Sequence, residues 1–324
     1  MIRRIKILAT TAGKPLAARI CERLSIHPVD AFVERYNDGE VRVGLKSGDG
    51  GNVRGADVFV ICPTHAPAEN LLEAIFLAKT ACGSSAGRVT LVISYLGYNR
   101  QDRKEAPRTT VSAKTVIDML KLSGADRALL LDVHSEATLS HFESMVFDHL
   151  YASYVAVDVL KPMLVNPFVV AAPDKGAVGR ASKFSQYLGG EAYIVFDKGE
   201  RSAPGEVDQN KILIIGDIAG RDVLFVDDMI DTFGTMEADI RAAKRAGAGK
   251  VFVFATHGLF SRDAITRIAD SDLTKLVVTD TIMHPPGFLD AAGDKIQVCS
   301  VAGLLAEAIR RIHDDQSLSS LILK

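Results

Sequence analysis

The 324-residue chain has no uninterrupted apolar run of about 20 residues, which speaks against a membrane-spanning helix. It has no excess of basic charge. Its 38 Lys and Arg face 40 Asp and Glu, a net of −2, so no overall positive field can hold nucleic acid by its phosphates. That leaves room only for a local basic patch. Cysteine is sparse: Cys21, Cys62, Cys82 and Cys299 are scattered without metal-ligand spacing, and buried free thiols are expected. Proline and glycine are dispersed, so no linker stands out. The opening Met1–Ala9 carries basic residues but too short an apolar stretch for a signal peptide. It reads as a first strand, and the cytoplasm is the expected compartment.

What is present is a globular composition, 48% hydrophobic and 24% charged. At roughly 100–200 residues per domain, the length suggests about two domains. Short continuous apolar runs recur at 56–62, 90–95, 168–171, 212–215, 223–226, 251–255 and 276–278. Continuous rather than alternating apolarity suits strands buried on both faces of a parallel sheet. Helical patterns lie between them. Over Ser112–Ser123, Val116, Met119 and Leu120 fall at i, i+3 and i+4, and Gly124 can stop the helix. Over Thr235–Ala246, alanines and charges fill a helix that Gly247 can end. Strands alternating with helices indicate a doubly wound α/β fold. The stretch from Ser112 through His134 resembles that from Thr235 through His257: helix, Gly-Ala turn, basic residue, strand, His. Either any αβ unit looks this way or the chain holds two similar α/β domains. The polar stretch Asp197–Asn210 reads as a long mobile loop, and such loops often act as lids.

The most informative segment is Val223–Thr235 (VLFVDDMIDTFGT). An apolar strand runs into acids, then into Asp-Thr-x-Gly-Thr, then into a helix. Ligands of open α/β sheets bind beyond the carboxyl ends of strands. A helix start supplies unpaired N–H groups and partial positive charge. Gly234 lets the backbone approach a phosphate, and Thr232 and Thr235 add hydroxyl donors. Asp227 and Asp228 repel a bare phosphate but accept from sugar hydroxyls. The arrangement suits a sugar phosphate, against the plainer reading of a capped helix after a strand. Elsewhere Arg100 offers five donors to phosphate, or belongs to a solvated turn, Arg100–Lys104. His134 follows a strand as a metal or phosphate contact or as a structural group. Asp174 is a strand-end carboxylate placed for Mg²⁺ or for a helix N-cap.

VDDMIDTFGT resembles the loop that binds phosphoribosyl diphosphate (PRPP) in type I phosphoribosyltransferases and PRPP synthetases. Further motifs resemble the ribose-phosphate diphosphokinase (PRPP synthetase) family across nearly the whole chain. Tyr36-Asn37-Asp38-Gly39-Glu40 is similar to its Phe-x-Asp-Gly-Glu, and Tyr98–Lys104 to its Tyr-x-Arg-Gln-Asp-Arg/Lys-Lys. Asp132-Val133-His134 is similar to its Asp-Leu-His, and Pro173-Asp174-Lys175-Gly176 to its Pro-Asp-x-Gly.

The resemblance implies two similar doubly wound parallel-sheet domains of the type I phosphoribosyltransferase-like fold. Residues 1–147 would bind ATP and 148–324 ribose 5-phosphate, with the last helix packing back on the first domain. It implies diphosphate transfer from Mg-ATP to the 1-hydroxyl of ribose 5-phosphate. ATP falls to Tyr36, Asp38, Glu40, Arg100, Gln101, Asp102 and His134. Ribose 5-phosphate falls to Asp174, Asp227, Asp228, Asp231, Thr232, Phe233, Gly234 and Thr235. Mg²⁺ falls to His134 and Asp174. A homo-oligomer is implied, with the ATP site at a subunit interface. The loop cations Lys198 and Arg201 take the catalytic role, although Glu200 stands where the common pattern has Arg, and Arg201 comes one position late. Phe233 departs from a usual small residue and adds bulk beside the 5-phosphate. Lys175 departs from a common Ala and adds charge beside Asp174. Two alternatives follow: a weakly active regulatory paralogue, and a PRPP-using phosphoribosyltransferase. The amino-terminal motifs speak against the second.

Overall fold

The computed structural model of the chain describes residues 4–104, 106–143, 145–190, 193–198 and 212–321. The chain divides into two compact units. The first holds the described residues up to Tyr151, with Thr281–Met283 and those from Val301 onward; the second holds those of Ala152–Asp280 and His284–Ser300.

In the first unit β1 (Ile5–Ala9), α1 (Lys14–Leu24), β2 (Ala31–Arg35), β3 (Val41–Leu45), β4 (Asp57–Ile61), α2 (Glu69–Gly83), β5 (Arg88–Ile93), α3 (Ser112–Leu122), β6 (Arg127–Leu131), α4 (Glu136–Leu139) and β7 (Val146–Leu150) follow in order. Five strands form a parallel sheet in the order β1-β4-β5-β6-β7, and β2 and β3 form a separate antiparallel ribbon. Every residue of β4 is buried, so both faces of the sheet are covered. The helix expected over 112–123 forms as α3. It buries Val116, Ile117 and Leu120 against the strands, and Gly124 follows at φ +85°. Each such side chain contributes about 1.5–3 kcal/mol on burial. Because β7 pairs with β6 as far as Leu150, this unit runs past the boundary expected after residue 147.

The second unit holds α5 (Ser153–Leu160), β8 (Phe168–Ala172), α6 (Val178–Leu188), β9 (Tyr193–Asp197), β10 (Leu213–Ile215), β11 (Asp222–Ile230), α7 (Gly234–Arg245), β12 (Val251–Gly258), α8 (Ala264–Asp270), β13 (Lys275–Thr279) and β14 (Ile296–Cys299). Its sheet runs β10-β9-β8-β11-β12-β13-β14, parallel except where β10 pairs antiparallel with β9. Phe196, Phe225, Phe233, Val253 and Leu276 are among its core. The apolar run 212–215 is not a strand buried on both faces. It forms a short edge strand with Leu213 and Ile215 exposed, because it pairs on one side only. The last helix, α9 (Ala302–His313), belongs to the first unit and packs on α1.

Cys21, Cys62 and Cys299 are buried and Cys82 half-buried, all as free thiols. Among the described residues no helix is long and apolar enough to cross a membrane.

Candidate functional site

In the second unit Asp227 and Asp228 of the informative segment lie inside β11, and only Asp231 lies beyond it. The strand extends through Ile230 because Met229 and Ile230 pair with His257 and Gly258 of β12. Asp228 is buried, and its N–H donates to Asp227 Oδ1 at 2.9 Å. Burial pushes the Asp227 carboxyl well above the usual carboxylate range. Repulsion from Asp228 adds to this, and Asp174 contributes in the same direction. The Arg180 guanidinium opposes it, with one nitrogen 3.4 Å from Asp227 Oδ1 and 3.8 Å from Asp228 Oδ1. The neighbouring strand β8 leads to Asp174, which takes the N-cap role. One of its oxygens accepts from the N–H groups of Gly176 (2.8 Å) and Ala177 (3.1 Å). The cap fixes a carboxylate at the strand end beside that of β11.

After β11, Asp231 and Thr232 lead into Phe233, whose φ of +65° is left-handed and costly for a bulky residue. The ring holds that turn in place, since it is 3% exposed and packed in the core. The bulk expected beside a 5-phosphate therefore points into the protein. Gly234 opens α7. A Cβ there would meet nothing nearer than Arg267 Nη1 and Thr232 Oγ1 at 3.9 Å, so its space is open. Thr235 follows in the first turn, where N–H groups lack helical partners. Arg267 of α8 is held near this turn by Glu237 (3.2 Å) and Asp263 (2.8 Å).

The loop cations fare differently. Lys198 is no solvated lysine: its side chain is 5% exposed, and Nζ lies 2.7 Å from Oδ2 of Asp239 on α7. Arg201 lies outside the described residues. Lys175 turns its charge to Asp197, at 3.0 Å.

In the first unit two adjacent strands, β5 and β6, deliver the expected nucleotide residues. The exposed Arg100 and Gln101 and the half-buried Asp102 follow β5; the exposed His134 follows β6. Gln101 binds the start of α3, its carbonyl accepting from Ala113 N–H at 3.2 Å and its side chain from Ser112. The His134 turn is braced from β7, where His149 Nε2 accepts from Val133 N–H at 3.2 Å. Tyr36, Asp38 and Glu40 belong to another sheet, at the tip of the β2–β3 ribbon. There Asp38 accepts from Glu40 N–H at 3.0 Å, Gly39 adopts φ +93°, and Tyr36 is exposed beneath the Arg42 guanidinium.

Four contributors went unseen in the sequence: Arg180, Arg267, His149 and Asp239. Each acts on a partner 16 to 47 residues away in sequence. The one available signal was the uncompensated charge of three acids at a strand end, which calls for a cation.

Among the described residues no three or more His, Cys, Asp or Glu converge into a metal cage. Mg²⁺ needs none, because it takes one or two carboxylates and fills its shell with water and substrate phosphates. The capped Asp174, with one oxygen outside the cap, fits that chemistry.

A family model described as the N-terminal domain of ribose phosphate pyrophosphokinase matches residues 5–124, and one described as the phosphoribosyl synthetase-associated domain matches residues 199–323. A ribose-phosphate pyrophosphokinase of Chlorobaculum tepidum is 41% identical over 98% of this chain and 94% of its own. One of Pasteurella multocida is 43% identical over 98% of both chains. The crystal structure of a phosphoribosylpyrophosphate synthetase from Mycobacterium smegmatis superposes with a TM-score of 0.87. It is 29% identical and covers 97% of this chain and 100% of that one. With two parallel-sheet units built alike and relatives matched end to end, the chain belongs to the ribose-phosphate pyrophosphokinase family.

Proposed function

We infer that the protein transfers the diphosphate of Mg-ATP to the 1-hydroxyl of ribose 5-phosphate, releasing AMP and PRPP. The observation that carries this reading is the end of β11: two adjacent carboxylates, a strained turn locked by Phe233, then an open helix start. Acids there meet sugar hydroxyls while the N–H groups and hydroxyls beyond them meet a phosphate. Asp227, Asp228 and Asp231 orient the ribose. Thr232, Thr235 and the backbone at Phe233 and Gly234 hold the 5-phosphate.

Tyr36, Asp38, Glu40, Arg100, Gln101, Asp102 and His134 bind ATP. The β2–β3 ribbon serves the nucleotide of a neighbouring copy in a homo-oligomer. Its exposed tip supports that role. His134 and Asp174 would hold Mg²⁺, directly or through water. When bound, the ion neutralises phosphate charge. Diphosphate transfer depends on positioning and on neutralising charge as it spreads. Lys198 and Arg201 supply the cations for that.

Incubation with ATP, ribose 5-phosphate and Mg²⁺ should yield AMP and PRPP in equal amounts, measured chromatographically. Omitting ribose 5-phosphate or adding EDTA should stop both. AMP release that ignores ribose 5-phosphate, or none at all, overturns the reading.

A further inference from the structure

Lys198 directly follows β9. A surface lysine keeps its ammonium in water, yet this one is 5% exposed and lies 2.7 Å from the carboxylate of Asp239, whose side chain is fully buried. Asp239 is four residues past Thr235, so the two sit on one face of α7 a single turn apart. The preceding residue is tied as well, since Asp197 pairs with Lys175 of the turn that Asp174 caps. Two consecutive residues at the end of β9 are thus clamped, one from the Asp174 turn and one from α7. A buried ion pair adds little net stability over apolar groups of the same volume, because desolvating both charges offsets their attraction. Stability alone is a weak reason for it to be there.

We propose that Asp239 is a positioning residue for Lys198, fixing its ammonium against α7 one turn from the phosphate turn. An ammonium has three donors; among the described residues Asp239 takes one, and the others can turn to phosphate oxygens. The proposal rests on the functional reading above, in which Lys198 neutralises charge on the diphosphate. Asp239 acts only through Lys198.

The test is a double-mutant cycle in the AMP-release assay. Asp239→Asn should lower kcat on the order of 100-fold, as expected for a misplaced catalytic group, with KM for ribose 5-phosphate unchanged. Asp239→Glu, which keeps the charge, should recover part of the loss. Lys198→Ala should be as slow as Asp239→Asn, and the double variant no slower than Lys198→Ala. Wild-type kcat in Asp239→Asn, or losses that multiply in the double variant, overturns the proposal. If Asp239→Asn does not fold, Lys198→Met/Asp239→Leu is compared with Lys198→Met. Equal kcat supports the coupling and a further loss overturns it. A wild-type protein that releases no AMP overturns the functional reading and this proposal with it. An active wild type with an indifferent Asp239 overturns this proposal alone.

Discussion

Asp227 illustrates a conflict between stability and chemistry within one side chain. Burial and the adjacent Asp228 raise its pKa in the folded state, and Arg180 offsets this only in part. A carboxyl whose folded pKa lies above its unfolded value destabilises the fold once pH rises above the unfolded value. At neutral pH that upward shift therefore works against folding, in a group whose proposed role is to accept from sugar hydroxyls. Asp227→Asn should raise the melting temperature at pH 7 and cut PRPP formation severely. The gap in melting temperature should close as pH falls toward about 4, the usual range of an unfolded Asp. Thermal denaturation across that range, beside the activity assay, checks both; a variant that melts lower at pH 7 contradicts the account. The identities of these acids were legible in the sequence, but not their setting. Asp is a poor strand former, so nothing local indicated that β11 would carry Asp227 and Asp228 inside its ladder. Nor does a bulky residue announce a left-handed turn, and Phe233 was read as facing a ligand when its ring faces the core.

Among the elements, α9 shows how a distant segment is tied to the first unit. Arg88, at the start of β5, reaches the buried Asp57, the carbonyl of Ile312 at 2.7 Å and Asp315 at 3.2 Å. His313 approaches Asp57 at 3.0 Å. On the helix itself, hydrogen bonds from Arg310 and Arg311 lower the Glu307 pKa to about 2. A depressed carboxyl adds stability that is present above its unfolded value and lost as pH falls through the folded one. Glu307→Gln should therefore lower the melting temperature at pH 6, by the equivalent of at most about 1 kcal/mol because the pair is partly exposed. The difference should vanish near pH 2, and a difference that persists there would show that Glu307 acts through packing instead. Helix existence was legible in α3 from apolar residues at helical spacing ahead of a glycine, and in α7 from alanines and charges ahead of one. The edge position of β10 was not, since an apolar run of four does not reveal how many neighbours it will have.

At the scale of the molecule, the internal similarity between Ser112–His134 and Thr235–His257 corresponds to two βαβ units. In one, β5 and β6 flank α3; in the other, β11 and β12 flank α7. Gly124 and Gly247 both leave their helices at positive φ. The two histidines differ: His134 is exposed past β6, while His257 is fully buried within β12. One copy thus leaves its imidazole exposed and the other commits it to the core. Each unit presents polar residues where adjacent parallel strands end, as open α/β sheets do. The most direct measurement follows the label of ATP carrying ³²P at the γ-phosphate, incubated with ribose 5-phosphate and Mg²⁺. The account predicts that the label arrives in a ribose diphosphate ester with one AMP released per label. Label in a ribose monophosphate ester or in inorganic phosphate, with ADP as the other product, would contradict it.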